Sequence, residues 1–274
     1  MTAPDPTTLP PPEGAADWRS SVREGRYLQA EARLKARQLV QTLSEDDEDA
    51  LEAVGSLIAW QKAVRARRYG QAMKLLPALA PLEQVLDLSA LEQATRALLG
   101  TEGKRIVEES ELRSALSGAQ GHPTTEAEAL NQIGVLQALQ AQPDAARETF
   151  VAALERDPEH HRALTNLGNL LLEGGNPHAA EEHYRRALKI EPDYAVAHNN
   201  LAAALKRQRR VGESVRAMKQ SRKLENRRIQ EDARAELKER LGSGGGWLDF
   251  LRSRTGQYLL IAVLVLLVYL LFLR

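Results

Sequence analysis

The chain has 274 residues, no cysteine, and 37 Lys and Arg side chains that balance 37 Asp and Glu side chains. A net charge of zero excludes a protein whose whole surface is basic enough to attract nucleic acid. The absence of cysteine excludes disulfides, thiolate-bound zinc, iron–sulfur clusters and a cysteine nucleophile. Only 4% of the residues are aromatic, and Ala, Leu, Glu and Arg dominate, so the composition predicts helices rather than strands.

The first 118 residues divide into a short polar tail and a helical part. Residues 1–15 are rich in proline and are predicted to be disordered. Residues 25–30 and 67–72 read GRYLQA and RRYGQA, and both look like the turn and second-helix start of a helical hairpin. We therefore interpret residues 16–118 as divergent helical hairpins, and degenerate repeats are one explanation of their similarity.

A repeat is clear in the middle of the chain, where residues 127–160 and 161–194 align without gaps at an offset of 34. Each unit carries two helical patterns, and a proline opens the second helix, where its missing N–H is tolerated. Another proline ends that helix. The matched pairs are Leu130/Leu164, Ile133/Leu167, Gly134/Gly168, Ala146/Ala180, Phe150/Tyr184, Ala153/Ala187 and Pro158/Pro192.

A third unit begins at Ala195 and changes character in its second half. Asn226 stands where the closing proline would be, so the second helix need not stop. We expect one long polar helix from Val211 to about Leu241, a suitable cap for the end of a repeat array. The repeats with this capping helix make up the predicted domain 124–241, and a Gly-rich linker with an interfacial segment follows over residues 242–256.

This register resembles the tetratricopeptide repeat family, over residues 127–194 and more weakly to about residue 222. The resemblance implies an all-α fold, a solenoid of stacked helical hairpins. It also implies that the first helix of each unit lines a groove that binds a partner peptide or protein. The candidate groove residues are Asn131, Gln132, Arg162, Asn166, Asn169, Asn199, Asn200, Lys206 and Arg207.

Asparagine is a poor helix former, yet it recurs at the groove positions that this resemblance implies. A carboxamide can bond the N–H and the C=O of an extended peptide at once. Arg162, Lys206 and Arg207 would attract a carboxylate or acidic side chains of that peptide. The alternative is that these asparagines are merely exposed helix positions.

The C-terminal end is predicted to be a transmembrane helix over residues 257–273. Residues 258–273 contain no charge, Gly or Pro, and about 18 residues rise about 27 Å, enough to cross a bilayer. Arg252 and Arg254 precede the span, so we expect a tail-anchored protein whose body faces the cytoplasm. The Arg-rich composition favours a bacterial inner (plasma) membrane. Representative spanning residues are Tyr258, Leu260, Val263, Leu266, Tyr269 and Leu273.

A basic segment lies ahead of this span. Residues 206–230 contain ten Lys and Arg but only two Glu, so anionic lipid headgroups are a candidate partner. A solvated charged helix is the alternative. The lack of aromatic stacking residues argues against nucleic acid.

No motif for catalysis, a metal ion or a cofactor is present. The six histidines show no metal-site spacing, and we expect no enzyme activity. The preferred interpretation is a membrane-tethered adaptor or scaffold for an unidentified protein or peptide. Two alternatives stay open: an assembly factor or subunit of a larger membrane complex, and a regulator or enzyme with its site in the divergent first 120 residues.

Overall fold

The computed structural model describes residues 17–40 and 42–243, and this part of the chain is helical, without strands. Short 3-10 helices cover Leu76–Leu82 and Ser117–Ala119. The α-helices are α1 (Trp18–Arg23), α2 (Tyr27–Val40), α3 (Glu45–Arg65), α4 (Tyr69–Leu75), α5 (Leu88–Leu99), α6 (Glu109–Ala115), α7 (Pro123–Leu139), α8 (Pro143–Arg156), α9 (His161–Glu173), α10 (Pro177–Ile190), α11 (Ala195–Arg207) and α12 (Val211–Ser243).

Five turns between helices share one backbone geometry, in which a residue with positive φ directly follows the helix C-cap. The next N–H then bonds a carbonyl five residues earlier, as in a Schellman motif. These bonds run from Arg26 to Ser21, Arg68 to Ala63, Gln142 to Gln137, Asn176 to Leu171 and Arg210 to Leu205, with N–O distances of 2.8–2.9 Å. The positive-φ residues are Gly25, Arg67, Ala141, Gly175 and Arg209.

Inside each clear repeat, the two helices approach closely where glycine faces an aromatic ring. A Cβ added at Gly134 would lie 2.7 Å from Phe150 Cε1, and one added at Gly168 would lie 2.7 Å from Tyr184 Cε1. Both rings are fully buried. In both repeats the glycine thus permits the close approach of the two helices, and the aromatic ring fills the space between them.

The divergent N-terminal hairpins share a core with the first clear repeat. Buried side chains of α3, such as Leu57 and Trp60, belong to the same apolar cluster as Ile133 and Leu136 of α7. Polar links reinforce this packing, because the Arg65 guanidinium donates to Asp157, the C-cap residue of α8, at 2.6 and 2.7 Å. The first clear repeat therefore packs against the N-terminal hairpins.

The chain divides into two compact units after Ala217. The predicted long polar helix is present as α12, and it continues to Ser243, two residues into the predicted glycine-rich linker. Within residues 17–40 and 42–243, no helix combines the length and the apolar character needed to cross a membrane. The predicted span at 257–273 and the rest of the linker lie outside the described residues.

Candidate functional site

Four asparagines on the first helices of the repeats form two bonded pairs. The Asn166 amide Nδ2 donates to Asn131 Oδ1 at 2.8 Å, joining α9 to α7. The Asn200 amide Nδ2 donates to Asn169 Oδ1 at 2.8 Å, joining α11 to α9. We call Asn131, Asn166, Asn169 and Asn200 the carboxamide ladder. The structure thus brings together residues that the sequence placed on one predicted groove.

The hydroxyl of Tyr184, on the second helix of the repeat, orients one member of the ladder. The Tyr184 hydroxyl donates to Asn169 Oδ1 at 2.8 Å, so that oxygen accepts two hydrogen bonds. An asparagine offers two N–H donors and an acceptor oxygen. Within the described part of the chain, Asn169 Nδ2, Asn166 Oδ1 and Asn200 Oδ1 keep capacity for a further partner. These three residues are half-buried, so their side chains are oriented yet reachable from solvent.

The first-repeat end of the predicted groove is not open. Asn131 is 1% exposed and Gln132 is 8% exposed, because residues from the N-terminal hairpins cover α7. The Gln132 side chain donates to the Tyr69 hydroxyl at 2.9 Å and accepts from the Thr101 hydroxyl at 3.0 Å. Asn131 and Gln132, which the sequence placed on the groove, are therefore covered by the N-terminal hairpins of the same chain.

Glu128 is the centre of this covered region and is fully buried. Its carboxylate accepts from the Tyr69 hydroxyl at 2.5 Å and contacts His160 Nε2 at 3.0 Å. Burial alone would raise the pKa of Glu128, but the hydrogen bonds from His160 and Tyr69 and the charge of Arg162 lower it below its usual value. Burial raises the pKa of Tyr69 and keeps its hydroxyl protonated as a donor.

Arg162 lies beside this network without an acceptor for its inner nitrogen. Its Nε is buried and makes no hydrogen bond in the described residues. Its positive charge acts on Glu128 and on Tyr194, and no carboxylate of the described chain forms an ion pair with it. Arg162 is half-buried, and a guanidinium without an ion pair in the described residues is suited to an anionic group supplied from outside.

The opposite end of the ladder is open and basic. Asn199 and Lys206 are exposed, and Lys206 has no ion pair within the residues that the structure describes. Arg207 donates from Nη1 to the backbone carbonyl of Leu172, so its side chain is fixed across α9 and α11. The site therefore runs from a partly buried cation at Arg162 to exposed cations at Lys206 and Arg207.

Several buried polar residues at helix starts were not predicted from the sequence. His122 Nδ1 accepts from the backbone N–H of Thr124 at 3.2 Å, and His160 Nδ1 accepts from that of Ala163 at 3.1 Å. In each ring Nε2 then carries the proton of the neutral form. It faces the Tyr27 hydroxyl at 2.6 Å in the first case and Glu128 in the second. These histidines act as helix caps, and their position directly before a predicted helix start is the signal that could have identified them.

No other feature of the described chain offers a stronger site. Among residues 17–40 and 42–243, no three His, Asp or Glu side chains come together to hold a metal ion. A cleft of 370 Å³ opens near Trp18 and contains Asp46, Asp49 and Glu83 among its lining residues, but none of the predicted groove residues. The carboxamide ladder therefore stays the candidate site.

Comparison with known proteins identifies the repeats. Residues 136–195 match the tetratricopeptide repeat family, which confirms that prediction for the stretch from the last turn of α7 to the start of α11. No relative is found among curated proteins.

Solved structures similar to this chain include two of MamA and one of PilF from Pseudomonas aeruginosa. One MamA structure is 14% identical and has a TM-score of 0.36, over 77% of this chain and 95% of that one. The other is 16% identical with a TM-score of 0.38, over 65% and 94%. PilF is 20% identical with a TM-score of 0.39, over 80% and 100%.

Proposed function

We propose that the chain is a non-enzymatic adaptor that binds an extended segment of a partner protein along the carboxamide ladder. The observation that carries this proposal is the pairing of Asn131 with Asn166 and of Asn169 with Asn200. Side chains that are already oriented lose little further rotamer freedom on binding, which favours affinity. Helical repeats of this family commonly serve protein–protein interaction, and the match over residues 136–195 supports the same role here.

The free amide groups and the cations around the ladder indicate what kind of segment would bind there. Asn169 Nδ2 would donate to a backbone carbonyl of the bound segment, and Asn166 Oδ1 and Asn200 Oδ1 would accept from its N–H groups. Arg162 and Lys206 would pair with acidic side chains or a terminal carboxylate. Because Tyr69 and Thr101 cover the first repeat, the bound segment would lie across α9 and α11.

We also propose that residues 257–273 tether this adaptor to a membrane, with the repeats on the cytoplasmic side. A bacterial inner membrane is the proposed location. The support is the uncharged sequence of this segment and the arginines ahead of it. Confinement at a membrane raises the effective concentration of a bound partner near other membrane components. An attraction between the basic segment 206–230 and anionic headgroups would reinforce the tether.

Site-specific photo-crosslinking of the full chain tests the binding face. Probes at Asn199 and Lys206 report on the ladder side, and probes at Arg186 and Lys189, exposed on α10, serve as matched controls on the second helix of a repeat. We expect one and the same partner to crosslink at both Asn199 and Lys206 and at neither control. Crosslinks that are equally frequent at all four positions would contradict the assignment of the site to this face.

A further inference from the structure

The second compact unit begins with a cationic stretch of α12. Between Met218 and Gln230 there are five Lys and Arg and one Glu. Arg228 pairs with Asp232 four residues later at 3.8 Å. Lys219, Arg222 and Lys223 are exposed and form no ion pair within the described residues. These three neighbouring side chains therefore present positive charge that the described part of the chain does not neutralise.

Exposed apolar side chains flank these cations on the same helix. Met218 is 38% exposed and Ile229 is 58% exposed. At about 100° per residue, Met218, Arg222 and Ile229 fall within about 40° of one another around the helix. Lys219 and Lys223 extend the cationic side chains about 60° and 100° further around the helix from Arg222. A helix face with apolar and cationic side chains next to each other is typical of segments that lie in the interface of a membrane.

The charge of the chain is strongly divided along its length. Residues 1–200 contain 30 acidic and 21 basic side chains, whereas residues 201–274 contain 16 basic and 7 acidic ones. An anionic leaflet would repel the first part and attract the second. Nucleic acid would also attract the basic part, but residues 211–243 contain no aromatic side chain on which a base would stack.

We propose that α12 lies along an anionic membrane surface and that Lys219, Arg222 and Lys223 contact the lipid phosphates. The proposal rests on the membrane tether proposed above, which brings the chain to a leaflet. The in-plane orientation follows from distance. Lys223 and Ser243 are about 30 Å apart along the helix, whereas screening in physiological salt limits the attraction to about 8 Å. An upright helix would hold these cations out of reach of the phosphates.

A single fluorescent label can test this, because the chain has no native cysteine. The exposed Asn226 is replaced by cysteine and labelled in the full chain. The protein is reconstituted into vesicles of phosphatidylcholine, with or without phosphatidylglycerol, that carry a headgroup-bound quencher. We expect quenching that requires phosphatidylglycerol and is lost at high salt. Three cations near the surface correspond to about a hundredfold change in the equilibrium between surface-bound and detached helix.

A matched pair of charge variants makes the test specific. The triple variant K219Q/R222Q/K223Q should abolish the quenching that depends on phosphatidylglycerol. The variant K74Q/K104Q/R105Q removes the same charge from exposed positions of the first unit and should leave it intact. Quenching that changes neither with lipid charge, nor with salt, nor in the K219Q/R222Q/K223Q variant would overturn the proposal. Binding of a DNA duplex to this segment without any response to vesicles would also overturn it.

Failure of the tether gives a different result from failure of the lipid contact. Extraction of the vesicles at alkaline pH measures the tether, because an inserted span resists it and a surface-bound helix does not. If the protein is extracted yet the label shows salt-sensitive quenching by phosphatidylglycerol vesicles, the tether is wrong and the lipid contact stands. If the protein resists extraction and the label is insensitive to lipid charge, the tether stands and the lipid contact is wrong.

Discussion

Gly168 faces the ring of Tyr184 so closely that a Cβ on residue 168 would lie 2.7 Å from the ring. Gly134 and Phe150 have the same relationship one repeat earlier. In both repeats the ring belongs to the second helix and the glycine to the first. This contact sets the distance between the paired helices and thereby the position of the neighbouring Asn169, which bonds the Tyr184 hydroxyl.

We expect Gly168→Ala and Gly134→Ala to lower the free energy of unfolding by about 1–3 kcal/mol, because each forces the helices apart. This loss outweighs the gain of about 1 kcal/mol in helix propensity that alanine brings. Gly55→Ala is the matched control, since nothing lies within 4 Å of its added Cβ in the interior of α3, and it should stabilise. Urea denaturation measures all three, and equal effects at Gly55 and Gly168 would contradict the packing argument.

The ion pair between Arg65 and Asp157 attaches the N-terminal hairpins to the first clear repeat. Both side chains are buried, and two hydrogen bonds join them. Arg65→Ala should cost about 3–5 kcal/mol of stability, because it leaves a buried carboxylate without its partner. Arg68→Ala, at an exposed neighbouring position, should change stability by less than about 0.5 kcal/mol. A loss at Arg65 no larger than that at Arg68 would show that the hairpins do not depend on this pair.

Acid should destabilise the protein through two buried histidines. Burial lowers the pKa of His122 to about 4 and that of His161 to about 3, from an ordinary value of 6.5. Between about pH 6.5 and pH 4 the unfolded chain therefore binds protons that the folded chain does not, so stability falls as the pH falls. Each histidine contributes up to about 1.4 kcal/mol per pH unit in this window.

Urea denaturation at pH 5 and pH 7.5 checks this prediction. We expect the free energy of unfolding to be about 4 kcal/mol lower at pH 5, about 2 kcal/mol from each histidine. His122→Asn, which keeps an acceptor for the helix cap, should remove about half of that difference. His178→Asn, at an exposed position, should leave it unchanged. Equal stability of the native protein at the two pH values would contradict the assignment of neutral, buried rings.

Substitution of Arg162 should weaken partner binding with little effect on the free energy of unfolding. Its buried Nε lacks an acceptor, and an unsatisfied buried donor costs about 1–3 kcal/mol. Arg162→Met removes this cost but also removes the positive charge that acts on Glu128. The two effects oppose each other, so we expect the free energy of unfolding to change by less than about 1 kcal/mol, while the partner crosslinks at Asn199 and Lys206 weaken. A large loss of stability would mean that the residue serves mainly to compensate Glu128. Unchanged crosslinking would show that Arg162 does not contribute to partner binding.

The repeats could be predicted from the sequence because their packing is encoded locally. Gly134, Phe150 and their counterparts recur at a fixed offset, and the period alone identifies which residues face each other. The turns of the N-terminal hairpins were recognised by their similar sequences, but only the first carries the glycine signal, at Gly25. In the second, Arg67 adopts the left-handed conformation that glycine adopts at Gly175. The bond between the N–H of Arg68 and the carbonyl of Ala63, and not a glycine signal, closes that turn.

The covering of the first repeat could not be predicted in the same way. Tyr69 and Glu128 are 59 residues apart in sequence, and no periodic pattern links a hydroxyl on α4 to a carboxylate on α7. Asn131 and Gln132 therefore looked like groove residues, although their surroundings are set by distant hairpins. The bonded pairs of the ladder were also missed, because a sequence shows where asparagines recur but not that they satisfy one another.

The central claim, that the chain holds a partner at a membrane through the ladder, is tested most directly by following the crosslinked partner in membrane fractions. The native full chain should keep the partner in the membrane fraction. The variant R162A/N166A/N199A should release the partner while the protein itself stays there. At a salt concentration that removes the contact of α12 with anionic lipid, deletion of residues 257–273 should move both together into the supernatant. A partner that stays in the membrane fraction with the triple variant, or after the deletion, would contradict the account.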